Sequence, residues 1–111
     1  MNSRQKGARG ERQWAKFLKE EMGVEARRGC QFSGSPDSPD VVSSDGIHWE
    51  VKRTQTISIN QALSQAIKDA NDKKLPAVAW KKNRQDWVII LRAKDWIRFK
   101  EKLAQLELKS G

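Results

Sequence analysis

The stretch Pro39-Asp40-Val41-Val42-Ser43-Ser44-Asp45-Gly46-Ile47-His48-Trp49-Glu50-Val51-Lys52 decides the fold. Asp45-Gly46 stands between two apolar runs and favours the tight turn of a β-hairpin. The run from Ile47 to Arg53 alternates cleanly, with Ile47, Trp49 and Val51 on one face and His48, Glu50 and Lys52 on the other. If the turn pairs the two runs, Asp40 at the mouth of the first strand comes near Glu50 on the second. Two carboxylates and the Lys52 ammonium then meet at one edge of a sheet. Carboxylates side by side repel, and a divalent cation between them removes the repulsion by taking their oxygens as ligands. Such a cation activates water and polarises a phosphoryl oxygen, and a neighbouring ammonium orients the water or offsets developing charge. This is equipment for phosphodiester hydrolysis.

The flanking segments supply the rest of an α/β domain. Trp14, Phe17, Leu18 and Met22 recur at helical spacing, predicting a helix over Gln5–Met22 that Gly23 ends. Three residues before Trp14 the same stripe holds Glu11, a carboxylate on the inward face, with Gly7 and Gly10 beside it. Val24–Gly29 reads as a short strand, and Cys30–Pro39 as a loop rich in Ser, Gly and Pro. A second helix is expected from Ser58 or Ile59 to about Lys73, with Ile59, Ala62, Leu63, Ala66, Ile67 and Ala70 inward. Ala77–Trp80 and Trp87–Arg92 read as strands buried on both faces. A last helix from about Lys94 carries Trp96, Phe99, Leu103 and Leu106 as its stripe.

Composition limits the function classes. The chain has 111 residues, with 22 Lys and Arg against 14 Asp and Glu, a net charge of +8. That charge on one small domain points to a polyanionic partner. It is unevenly spread: residues 1–30 hold eight basic and four acidic residues, 31–75 five and six, and 76–111 nine and four. An acidic centre lies between two basic flanks. No apolar run approaches the length of a membrane span, and Met1–Gly7 lacks the apolar stretch of a secretory signal, so no membrane partner and a cytoplasmic site of action are expected. One cysteine, Cys30, and one histidine, His48, cannot build a structural zinc site. A metal would be held by carboxylates, which favours Mg²⁺, with Mn²⁺ able to substitute.

Pro39-Asp40…Glu50-Val51-Lys52 resembles the signature of the PD-(D/E)XK nuclease superfamily. Lys6-Gly7 followed by Glu11-Arg12 resembles the first helix of the archaeal-type Holliday junction resolvases and of similar short phage nucleases. Arg28, the Ser33-Gly34-Ser35 loop and Gln65-Ala66 are similar to further parts of that pattern, as are Pro76-Ala77-Val78 and the segment Lys81–Trp87. The resemblance implies a restriction-endonuclease-like αβββαβ core with a mixed sheet, here followed by an extra C-terminal helix. It implies Glu11, Asp40 and Glu50 as metal ligands, with the Val51 carbonyl as a further one, and Lys52 beside the attacking water. Asp40 is preferred to Asp37 because it directly precedes the strand Val41-Val42; Asp37 is the alternative, as Ser35 is to Ser33. Lys6, Arg9, Arg27, Arg28, Ser33, Gln65, Lys81 and Arg84 are the expected DNA contacts. The activity implied is cleavage of branched DNA, a four-way junction above all, by a homodimer in the cytoplasm of a bacterial or archaeal host cell. A nickase or flap nuclease and a non-catalytic nucleic-acid-binding protein are the alternatives. His48 is expected to be structural or to contact phosphate. The five tryptophans, Trp14, Trp49, Trp80, Trp87 and Trp96, are expected to serve the core.

Overall fold

The computed structural model describes residues 3–29 and 40–110, with side chains described over 8–29 and 40–105. Its elements in chain order are α1 (Ser3–Met22), β1 (Ala26–Arg28), β2 (Val41–Ser43), β3 (Ile47–Lys52), α2 (Ile59–Ala70), β4 (Leu75–Trp80), β5 (Val88–Ile90) and α3 (Ala93–Ser110). The strands form one sheet in sequence order. β1–β2, β2–β3 and β4–β5 pair antiparallel, while β3 and β4 pair parallel, with α2 as the crossover. The expected αβββαβ order, mixed sheet and extra terminal helix are all present.

Two apolar layers enclose the sheet. On one face Trp14, Ala15 and Leu18 of α1 and Phe99 of α3 pack on Val41, Ile47, Trp49, Leu75, Ala77 and Ala79. On the other, Ala62 and Ala66 of α2 pack on Val78. The small residues let α2 lie close to the sheet. The Ser58 side chain accepts a hydrogen bond from the Gln61 N–H as its N-cap. Asn71 closes the helix in the left-handed conformation, with its N–H bonded to the Ile67 carbonyl. The helix therefore ends three residues before the expected Lys73.

The β2–β3 turn is held by a buried carboxylate. Asp45 accepts bonds from the Ser43 hydroxyl (2.5 Å), the Ile47 N–H (3.0 Å) and the Trp49 indole (3.3 Å). Gly46 follows at φ +75°, where a side chain would be strained. Gly10 has a different role: a Cβ there would lie 2.7 Å from the Arg53 Cβ and 3.9 Å from a Val51 methyl. Its bareness lets α1 approach the end of β3, and so brings Glu11 close to that end.

Three expectations are corrected. Trp96 and Ile59 are each 49% exposed rather than in the core. The buried place at the start of α3 belongs instead to Asp95, which pairs with Arg92 and Arg98, and the Trp96 ring stacks on Phe99 from outside. β5 is not buried on both faces, since it is the edge strand and Val88 is exposed. Trp14, Trp49 and Trp87 do serve the core, their rings 4.8–5.0 Å apart around Trp14. Half-buried Trp80 donates its indole N–H to the Thr54 carbonyl, and the Lys82 ammonium lies over its ring.

Candidate active site

The site stands where β2 begins and β3 ends. Val41 pairs with Trp49, and the Asp40 N–H bonds to the Trp49 carbonyl at 3.2 Å. Asp40, just before β2, is thereby held beside the end of β3, close enough to Glu50 for its charge to act on that carboxyl. The Asp40 carboxylate also accepts the Val51 N–H at 2.9 Å, which ties the mouth of β2 to the end of β3.

These carboxyl groups lack the solvation they need to ionise normally. Burial pushes Glu50 up from 4.5 to about 7, with the charge of Asp40 adding to the shift and Lys52 opposing it. Burial likewise pushes Asp40 up from 3.8 to about 6, against the Val51 N–H bond; the negative charge of Glu11 adds to the rise, and Lys52 opposes it. The Lys52 Nζ lies 3.6 Å from Glu50 Oε1. Glu50 feels the charges of Asp40 and Lys52, and Asp40 feels Glu11, but among the described residues Glu11, Asp40 and Glu50 do not bring their carboxylate oxygens within 4.8 Å of one another. Mutually repelling carboxylates that are buried, as Glu50 is, or half-buried, as Asp40 is, suit a divalent cation.

Glu11 is buried on α1 and ion-paired with Arg28 at the end of β1, Nε to Oε2 2.5 Å. Arg28 therefore stands beside the acidic site. Arg27 does not, because neighbouring strand residues face opposite ways. It lines a groove of about 510 Å³ with Lys19, Glu25, Val42 and Ser44, away from the carboxylates. Arg9 is exposed on α1 and Arg84 is exposed in the β4–β5 connection, while Lys81 is half-buried there and its carbonyl accepts from Arg53. Gln65 is exposed on α2 and lines a groove of about 370 Å³ with Lys52, Thr54, Thr56, Ser58 and Gln61. The Lys6 side chain, Cys30, Ser33, Ser35 and Asp37 lie outside the described residues.

The structure adds a residue the sequence reading did not select. Asp69 on α2 comes within reach of His48 and Glu50, the three offering donor atoms within 4.8 Å of one another. It raises the proton affinity of both Glu50 and Asp40. Asp69 also accepts a bond from the Gln65 amide at 2.8 Å. Its position was readable in principle, since it lies seven residues after Ala62 and three after Ala66, on the inward stripe. That is the same signal that singled out Glu11. His48 is 1% exposed, which suits a structural place and removes it from direct contact with an external phosphate.

A mixed sheet of this order, with Asp40 tied to the end of the strand that carries Glu50-Val51-Lys52, is the arrangement expected of the PD-(D/E)XK class. The sequence matches over residues 2–109 the family described as "Phage putative PDDEXK endonuclease", and the chain belongs to that family. Among solved structures, it is similar to Hjc of Archaeoglobus fulgidus, a Holliday junction resolvase from an archaeal hyperthermophile. The similarity has a TM-score of 0.52 and 23% identity, and covers 71% of this chain and 73% of that one. At that identity it bears on the fold alone. No match is found among curated proteins.

Proposed function

We propose that this nuclease cuts branched DNA, a four-way junction above all, with a divalent cation as cofactor and as a homodimer. The observation that carries the reading is the tie of the Asp40 carboxylate to the Val51 N–H at the end of β3, where its charge acts on Glu50, with Lys52 beside Glu50 and Glu11 close enough to act on Asp40. Asp40, Glu50 and Glu11 would hold Mg²⁺, or Mn²⁺ in its place, with the Val51 carbonyl as a further ligand. The cation would lower the pKa of bound water and offset charge on the phosphate. Lys52 orients the attacking water and stabilises the charge that builds as the phosphodiester opens. The Val51 N–H bond fixes the Asp40 carboxylate, so the site does not have to reorganise on each turnover.

The family supports an endonuclease, and the branched substrate is suggested by the junction resolvase whose fold is similar. Two nicks placed symmetrically on a four-way junction require two copies of a site, which a C₂ dimer supplies. Net positive charge supplies the salt-dependent part of the affinity. Exposed Arg9, Arg84 and Gln65 and half-exposed Arg28 are the candidate contacts, together with Lys6 and Ser33. Arg27 and Lys81 are weaker candidates by position. Among the described residues no helix is long and apolar enough to cross a membrane; the cytoplasm of the host cell is the proposed place of action.

Incubation with Mg²⁺ and synthetic four-way junction, flap, nicked duplex and linear duplex tests the reading. Paired symmetric nicks in the junction, with linear duplex spared, are expected. Equal cutting of linear duplex would refute junction selectivity. Cleavage confined to the nicked or flap substrate would assign the enzyme to those instead, and absence of any product between pH 6 and 9 would leave a DNA-binding protein with a nuclease fold.

A further inference from the structure

We infer that Arg28 is an internal counter-cation for Glu11, holding that carboxylate until a divalent metal takes it over and then turning to the DNA backbone. The inference rests on the nuclease reading above and concerns how its two ligands, metal and DNA, communicate.

The pair is asymmetric. The Glu11 side chain is 12% exposed and that of Arg28 is 42% exposed. The carboxylate is therefore fixed within the protein, while the guanidinium has solvent on its open side into which it can swing. Its backbone cannot travel with it. Arg28 pairs with Val41 in the β1–β2 ladder, and the next residue, Gly29, donates its N–H to the Asp40 carbonyl at 2.9 Å. The guanidinium is thus tethered next to the residue that would share the metal with Glu11. A free arginine anchored at that position reaches the phosphates of a strand laid over the site, where its planar fork suits phosphate oxygens.

The two cations compete for one group. A divalent ion on Glu11 would stand within a few ångströms of the guanidinium, and like charges at that range repel even when well solvated. Occupation by metal therefore weakens the Arg28–Glu11 bond, and the bond weakens metal binding in its turn. Thermodynamic reciprocity makes the coupling two-way: metal favours the DNA-binding posture of Arg28, and DNA that captures Arg28 leaves Glu11 open to metal.

The sign of one measurement separates this role from a plain contact or a structural prop. Mn²⁺ is titrated into the DNA-free protein and free Mn²⁺ is followed by electron paramagnetic resonance. Arg28→Ala is expected to bind Mn²⁺ about three- to tenfold more tightly than wild type, the range for release of a partly exposed ion pair. Arg28→Gln, which keeps bulk and polarity, is expected to tighten binding likewise and guards against a variant that fails to fold. A residue that only contacts DNA would leave DNA-free Mn²⁺ affinity unchanged, and one that props Glu11 in place would weaken it. Either result overturns the inference. A second readout is the salt dependence of junction binding by fluorescence anisotropy, with and without Ca²⁺. In wild type Ca²⁺ should steepen the log–log slope by about one phosphate contact, and in Arg28→Ala it should not; equal steepening in both overturns the inference. If wild type binds no Mn²⁺ at all, the metal-dependent reading beneath the inference fails with it, an outcome distinct from wild-type binding that Arg28→Ala leaves unchanged or weakens.

Discussion

Replacing Glu50 by glutamine should stabilise the metal-free protein, by an amount set by pH. Glu50 is 8% exposed, and its carboxyl is raised from 4.5 to about 7, first by burial and then by the charge of Asp40. A raised carboxyl holds its proton more tightly in the folded state than in the unfolded one. Below pH 4.5 both states carry the proton and nothing is lost. Between 4.5 and 7 the unfolded chain releases it first, so stability falls as pH rises. Above 7 the full cost of a buried charge is present. At about 1.4 kcal/mol for each tenfold change in proton affinity, that cost is roughly 3 kcal/mol. Glutamine has the same shape and no charge, but it gives up the Lys52 contact at 3.6 Å. Glu50→Gln should therefore gain about 2–3 kcal/mol at pH 8 and almost nothing at pH 4.5. Urea unfolding with chelator present, at both pH values, measures the difference. A variant that is destabilised at pH 8, or that shifts equally at both, would refute the assignment of Glu50 as a desolvated charge awaiting a cation.

Three further outcomes are expected. Asp45→Ala removes the acceptor for the Ser43 hydroxyl, the Ile47 N–H and the Trp49 indole; it should cost about 2–4 kcal/mol in urea unfolding, because buried donors are left without partners, and a change under 1 kcal/mol would show that the turn holds without it. Gly10→Ala places a Cβ 2.7 Å from that of Arg53; a loss of about 1–3 kcal/mol by the same assay is expected from overpacking, and no loss would mean that α1 is not pressed against the end of β3. Lys52→Ala should lower the single-turnover cleavage rate by about 10²–10⁴-fold with junction affinity nearly unchanged, whereas equal losses in rate and affinity would make Lys52 a binding residue.

The core of the site was legible because β structure converts spacing directly into geometry. Glu50 and Lys52 share a face by the period of two, and Asp45-Gly46 fixed which residue of the preceding strand would meet them. Glu11 was legible from a helical stripe for the same kind of reason. What the sequence could not yield depends on how separate elements pack. Asp69 reaches Glu50 only because Ala62 and Ala66 let α2 sit close to the sheet, and that spacing is a tertiary fact. Trp96 was misplaced because periodicity cannot tell whether the first turn of a terminal helix faces the core or overhangs it; here Asp95 and its two arginines take the inner place. Arg28 was legible as a basic residue near the site, but its pairing with Glu11 needed the distance between α1 and β1.

The most direct test is anomalous diffraction from crystals soaked in Mn²⁺, because it locates the cation without any assumption about substrate. A Mn²⁺ peak at ligation distance from Asp40 and Glu50, with Glu11 as a third carboxylate, is the expected result. A peak held by His48 and Asp69 with Asp40 and Glu11 unengaged, or no peak among these residues, would contradict the proposed metal centre.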